Sequence, residues 1–328
     1  GPGDGGQRRA ASKDSSVTTT SALPELAPAP PAAPPLGLVA LPWHLNRRGE
    51  HLGAGPEALL GAGLVRWLRD AGYRLDGPQL VELDEAECGQ YGAWHAVGLT
   101  GAHLAEIVAG VRGRGAFPLA LLGDCNGSLG MLAGLQRTGV KRLGMVWFDA
   151  HGDFNTPETT LSGYLGGMPV AVAAGLCLQR IRSAAGLEPP LDVRDIVMVA
   201  LRDVDPLEQE LIDEHRIEHV HTEDVKGDRS ALRAALQRLS GRCDGVYIHI
   251  DLDVLDPVEA PGMNFPVPGG PSPAELAEAI ALCLSFPKAA ALGIASYNAP
   301  KDEHNRTLAG VFRVIAGGVR GLGERPPS

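Results

Sequence analysis

Two short apolar runs, Leu143–Phe148 and Gly245–Ile250, each stop on an aspartate that opens an alternating series of metal-type ligands. The first continues as Asp149-Ala150-His151-Gly152-Asp153, the second as Asp251-Leu252-Asp253. In extended backbone successive side chains leave on opposite faces, so Asp149, His151 and Asp153 share one face, as do Asp251 and Asp253. Positions two apart along a strand are separated by ~7 Å, so the chain has to curl there before these groups can converge. Five ligand-type side chains at the carboxyl ends of two strands are the constraint that the rest of the chain must satisfy.

Further apolar runs of strand length occur at Leu36–Leu41, Phe117–Leu122, Ile196–Leu201, Ile217–His221 and Ala290–Tyr297. Helices are expected over Pro56–Ala71, Gly98–Arg112, Leu129–Arg137, Gly163–Gly175, Leu207–His215, Ser230–Leu239, Ala274–Ser285 and Ala309–Val319. Short strands alternating with helices predict an α/β chain whose mostly parallel sheet is covered on both faces. Ligands bind such sheets beyond the carboxyl ends of the strands, which is where the polar clusters fall. With 328 residues, 44% of them hydrophobic, the chain can bury a full core. The predicted domain covers 36–328. Residues 1–35, rich in Pro, Ala and Ser, are expected to form a disordered tail.

Charge and cysteine content set aside several classes. A net charge of −10 argues against a nucleic-acid binder. Five scattered cysteines with no Cys-x-x-Cys pair fit a reduced compartment better than a disulfide framework. No apolar stretch reaches the roughly 18 residues of a membrane span, and no signal-peptide pattern opens the chain. A cytoplasmic protein without membrane or nucleic-acid partners is expected.

Carboxylates with one imidazole suit Mn²⁺, and bridging carboxylates suit a pair of ions that brings the pKa of a water toward neutrality. A lone Asp or His at a strand end is normally a cap or turn former, but three ligand types matched by a second Asp-x-Asp are harder to dismiss. Two more clusters follow strands. Gly123-Asp124-Cys125-Asn126-Gly127-Ser128, taken alone, is a turn with a packed cysteine. Leu201-Arg202-Asp203-Val204-Asp205-Pro206-Leu207-Glu208, taken alone, is a helix start with Pro and acids in its first turn. His215, His219 and His221 read as solvated surface, and Asp256-Pro257 as a turn. His249 shares the face of Asp251, while Tyr164 and Phe265 fit a pocket wall or the core equally well.

In this order, Gly123–Ser128, Asp149–Pro157, Leu201–Glu208 and His249–Pro257 resemble the motifs of the arginase family of ureohydrolases, over roughly residues 36 to 320. The resemblance implies a three-layer α/β/α sandwich with a binuclear manganese centre. Its ligands would be Asp149, His151, Asp153, Asp251 and Asp253. A metal-bridging hydroxide would attack the guanidinium carbon, with Asp153 holding it and passing its proton to the departing amine. Asp153 and His151 are thus the expected catalytic residues. Asn155 and Ser162 match residues that hold a substrate α-carboxylate, and Asp205 and Glu208 match those near its α-amino group. A homo-oligomer, trimer or hexamer, follows from the same resemblance.

Three positions depart from the family pattern. Cys125 stands where a histidine ligand is usual and would bring a thiolate to the first metal. Gly166 stands where arginases carry a histidine that assists proton transfer, and Ser296 where a glutamate pairs with the guanidinium. Asp302 and Glu303 are the nearby acids that would replace it. The cysteine, the runs Asp153–Thr160 and Gly163–Met168 and the Asn298-Ala299-Pro300 segment are most similar to the Nω-hydroxyarginine amidinohydrolases of the family. The expected function is hydrolysis of the guanidino C–N bond of arginine or Nω-hydroxyarginine, giving ornithine and urea or hydroxyurea. Hydrolysis of another guanidino or formimino compound, and a catalytically altered metal-binding relative, are the alternatives.

Overall fold

A computed structural model describes residues 22–90 and 92–326. Eight strands form one sheet: β1 (Leu36–Leu41), β2 (Leu75–Leu80), β3 (Phe117–Leu122), β4 (Leu143–Phe148), β5 (Ile196–Val199), β6 (Glu218–Val220), β7 (Gly245–Asp251) and β8 (Ala289–Ala295). Their spatial order is β2-β1-β3-β8-β7-β4-β5-β6, and every neighbouring pair is parallel. Strands β1, β3, β4, β5, β7 and β8 are buried along their whole length, which is why they read as unbroken apolar runs. β4 and β7 pair in register up to Phe148 and Ile250. Asp149 and Asp251 therefore emerge side by side.

The longer helices are α1 (Ala93–Gly113), α2 (Ser128–Arg137), α3 (Pro206–Glu214), α4 (Ser230–Arg242), α5 (Pro273–Ser285) and α6 (Arg306–Gly323). Alternation along the strands divides the core in two. On one face Leu119, Val146, Phe148 and Ile248 pack against Leu236 of α4, Ile280 of α5 and Phe312 of α6. On the other Ala120, Met145, Trp147 and Tyr247 pack against Leu104 of α1 and Leu132 of α2. The result is the three-layer sandwich. Local chemistry sets the helix starts: Ser272 Oγ accepts from Glu275 N–H at 3.1 Å while Glu275 Oε2 accepts from Ser272 N–H at 2.8 Å, a capping box that opens α5.

One strand was not expected and three expectations need correction. β2 has no apolar run, because it is a half-buried edge strand whose Gly77-Pro78 disturbs the register with β1. The helix expected over Pro56–Ala71 divides into Gly55–Gly61 and Leu64–Asp70 at Gly63, whose φ is 96°. Gly163–Gly175 is not one helix: a 3₁₀ turn at Leu165–Gly167 is followed by a short α-helix at Pro169–Ala173. The N-terminal segment is not a tail as far as residue 35. Residues 1–21 lie outside the described residues, but Trp67 Nε1 donates to the Pro24 carbonyl at 2.9 Å and Ala29 N–H to that of Ala71 at 2.7 Å. Leu26 and Ala29 pack on the core, and Ala33 is buried in it. A proline-rich stretch needs no core of its own where an apolar surface receives it. Among the described residues no helix is long and apolar enough to cross a membrane.

Candidate metal centre

The carboxyl ends of β3, β4, β5, β7 and β8 open onto one cavity of about 240 Å³. The curl that the ligand spacing demands is made by the ligands themselves. His151 N–H donates to Asp149 Oδ1 at 2.7 Å, Asp253 N–H to Asp251 Oδ1 at 3.0 Å, and Asn126 N–H to Asp124 Oδ1 at 2.9 Å. Each is an Asx turn that bends the backbone directly after a strand. Asp153 has a φ of 46°, in the left-handed region, so the third residue of its series turns off the strand direction. Ala150 N–H donates to Asp253 Oδ1 at 3.2 Å and ties the two ligand loops together.

Support comes from beneath. Asp149 Oδ2 accepts from Trp147 Nε1 at 3.0 Å. That indole stacks on His249 at 3.8 Å and 13°, and His249 Nδ1 lies 2.8 Å from the Tyr247 hydroxyl. His249 thus acts on the site through Trp147.

Cys125 Sγ and one oxygen each of Asp149, Asp153 and Asp251 lie within 4.8 Å of one another, and Asp149, His151 and Asp253 form a second such group. The two groups share Asp149. Cys125 Sγ donates to Asp251 Oδ2 at 3.0 Å, and Ser296 Oγ donates to the same oxygen at 3.2 Å. Burial and then the neighbouring acids raise Asp251 and Asp253 to about 7 and hold Asp153 well above the carboxylate range. Burial, followed by Asp251, Asp153 and Asp149, pushes the Cys125 thiol up as well. Burial alone would lower the His151 imidazole, but Asp149 and Asp253 beside it push it up to about 12. Among the described residues the buried Asp153 Oδ2 has no hydrogen-bond partner. Crowded, desolvated carboxylates with an orphaned oxygen form a donor set that divalent cations satisfy.

The other expected site residues border the same cavity. Glu208 reaches it with both oxygens already occupied: Oε1 accepts from Phe154 N–H at 2.9 Å and Oε2 from Asp205 N–H at 3.1 Å. Asn155 Nδ2 donates to Asp205 Oδ2 at 3.1 Å, and its Oδ1 accepts from the Thr159 hydroxyl at 2.9 Å. Ser162 sits exposed at the rim, its Oγ accepting from Tyr164 N–H at 3.2 Å.

Asp302 and Glu303 do not replace the missing acid. Asp302 accepts from Thr307 N–H, Leu308 N–H and the Tyr297 hydroxyl at 2.7, 2.8 and 2.9 Å, which caps α6. Glu303 is exposed beside Arg306. His219 is not simple solvated surface either: it is half-buried, accepts from Leu201 N–H at 3.2 Å, and burial lowers it to about 4.

Three features escaped the sequence. Asp203 Oδ2 lies 3.6 Å from His151 Nε2, in a stretch already singled out for its neighbours. His44 Nδ1 lies 3.0 Å from Asp124 Oδ2, with no motif to announce it. Arg202 donates to the carbonyls of Ala200, Val254, Asp253 and Val267 at 3.1, 3.1, 3.2 and 3.0 Å, stitching the loop after β5 to the loop after β7.

The model of the arginase family matches residues 35–317. The arginase of Bacillus caldovelox is 31% identical over 283 residues, covering 84% of this chain and 94% of that protein. That of Brevibacillus brevis is 34% identical over 261 residues, covering 76% and 87%. The solved Bacillus caldovelox arginase superposes with a TM-score of 0.78 at 30% identity, over 88% of this chain and 98% of that one. The formimidoylglutamase of Bacillus subtilis gives 0.71 at 17% identity over 98% and 97%, a likeness of fold alone. Sheet order, ligand loops and relatives agree: the chain belongs to the arginase family of metal-dependent hydrolases that act on guanidino compounds.

Proposed function

We propose that this chain hydrolyses the guanidino C–N bond of an α-amino acid, arginine or Nω-hydroxyarginine, releasing ornithine and urea or hydroxyurea. The observation that carries the reading is a cavity with two kinds of lining. Two ligand groups joined at Asp149 form one part, and Asn155, Ser162 and Asp205 offer the other to an amino-acid head. A volume of about 240 Å³ suits one small metabolite.

Cys125, Asp149, Asp153 and Asp251 would hold one divalent ion, and Asp149, His151 and Asp253 the other, with Mn²⁺ the expected metal. When bound, such a pair supplies an activated water and polarises the group under attack. In the overall reaction a water oxygen bonds to the amidine carbon, the bond from that carbon to the chain nitrogen breaks, and the proton given up by the water ends on the departing amine. Asp153 Oδ2, without a partner of its own, is the acceptor available to carry that proton. Asn155 and Asp205, fixed to each other, hold the amino-acid head.

Purified protein supplied with Mn²⁺ and offered arginine, Nω-hydroxyarginine, agmatine, guanidinobutyrate and formiminoglutamate is expected to act on the first two. Asp153→Asn should keep the wild-type unfolding temperature and lose urea or hydroxyurea release. Preference for a substrate without an amino-acid head, or near-normal turnover by Asp153→Asn, refutes the reading. The first outcome would favour the second reading, hydrolysis of another guanidino or formimino compound. Its support is Ser296, which brings no acid to the cavity and spends its hydroxyl on Asp251.

A further inference from the structure

The loop Ser162–Met168 carries a pair of residues whose spaces overlap. A Cβ on Gly166 would lie 2.2, 2.4 and 2.7 Å from Tyr164 Cε1, Cζ and Oη. The hydroxyl end of the phenol ring therefore stands where any side chain at position 166 would begin. Its other faces are fixed as well, by His44 at 6.2 Å and Phe265 at 5.8 Å between ring centroids. Tyr164 bonds through its backbone, with N–H to Ser162 Oγ at 3.2 Å and its carbonyl taken by Gly167 N–H at 3.1 Å. Its hydroxyl has no hydrogen-bond partner among the described residues, and the ring lines the cavity. The charges that act on this phenol are Asp124, Cys125, Asp153 and Asp251, so it stands over the cysteine side of the ligand groups.

We propose that Tyr164 is a specificity-determining residue whose hydroxyl donates a hydrogen bond to the N-hydroxyl oxygen of a hydroxylated guanidino substrate. The assignment rests on the hydrolase reading above and deepens it. One chemical need of that substrate is met at this end of the cavity. The added oxygen needs a donor, and the Tyr164 hydroxyl is a positioned one without other employment. Sites built around a substrate hydroxyl discriminate strongly against the analogue that lacks it, because the protein group is then left unpaired.

The test is the ratio of kcat/KM for Nω-hydroxyarginine to that for arginine, measured on Mn²⁺-loaded protein by hydroxyurea and urea release. Tyr164→Phe keeps the ring that fills the space beside Gly166 and removes only the hydroxyl. It should lower the ratio about tenfold, the effect of losing one hydrogen bond in a closed site. Gly166→Ala, which displaces the ring, should lower it in the same direction and guards against a Phe variant that fails to fold. An unchanged ratio in both variants overturns the assignment while leaving the hydrolase reading in place. A wild-type protein that releases neither urea nor hydroxyurea overturns both.

Discussion

Replacing Glu208 by Gln changes one atom and separates two roles for this carboxylate. Glu208 is 3% exposed, and its oxygens accept the backbone N–H groups of Phe154 and Asp205. A glutamine offers one oxygen and one amide nitrogen that cannot accept, so one of those N–H groups would face another donor. The loss combines a charge-assisted hydrogen bond, about 1.5–3 kcal/mol, with a stranded buried N–H, about 1–3 kcal/mol. Burial raises the Glu208 carboxyl, so the neutral amide recovers part of that cost. We expect a net destabilisation of about 2–4 kcal/mol, or about 4–8 °C at roughly 2 °C per kcal/mol for a chain of this size. Because Phe154 lies between Asp153 and Asn155, kcat should fall together with stability. Thermal unfolding and steady-state kinetics on the same preparations provide the check. If the unfolding temperature stays within about 1 °C and only KM rises, Glu208 holds the substrate amino group, as the family motif implies, and the structural argument is refuted.

Two further outcomes are expected. Arg202→Met removes four hydrogen bonds to the carbonyls that join the β5 and β7 loops, and should cost about 3–5 kcal/mol and weaken Mn²⁺ binding measured by calorimetry; wild-type values for both would show that the guanidinium holds nothing. His219 is lowered to about 4 in the fold, against about 6.5 when unfolded, so the unfolded chain takes up the proton first. Its contribution is complete above pH 6.5 and is lost as pH falls through 6.5 toward 4. The difference in denaturation midpoint between wild type and His219→Gln should shrink from pH 7 to pH 5, and a constant difference would contradict it.

The parts of this fold legible in the sequence are those where one residue pattern meets one environment. β3, β4, β7 and β8 are buried on both faces, so their composition alone marks them, and the ligands follow at their ends. β2 went unseen because an edge strand with Gly77-Pro78 carries no such pattern. Within the candidate site, the convergence of Asp149, His151, Asp153, Asp251 and Asp253 was legible because their spacing is itself the signal. Asp302 misled because nearness along the chain to Ser296 says nothing of direction, and the start of α6 claims it. Tyr164 beside Gly166 was invisible for the opposite reason: the sequence names both residues but not the volume they share.

The strand order has a consequence for how the site is assembled. β8, the last sheet strand along the chain, lies in the middle of the sheet, between β3 and β7. Without it, β2-β1-β3 and β7-β4-β5-β6 share no strand pairing. Cys125 follows β3 on one half, while Asp149, Asp153 and Asp251 belong to the other. The thiol and the carboxylates are therefore joined through the sheet by a strand some 160 residues downstream of the cysteine, a long-range pairing of the kind that slows folding. The full cluster of candidate ligands in this sense depends on β8 being in place.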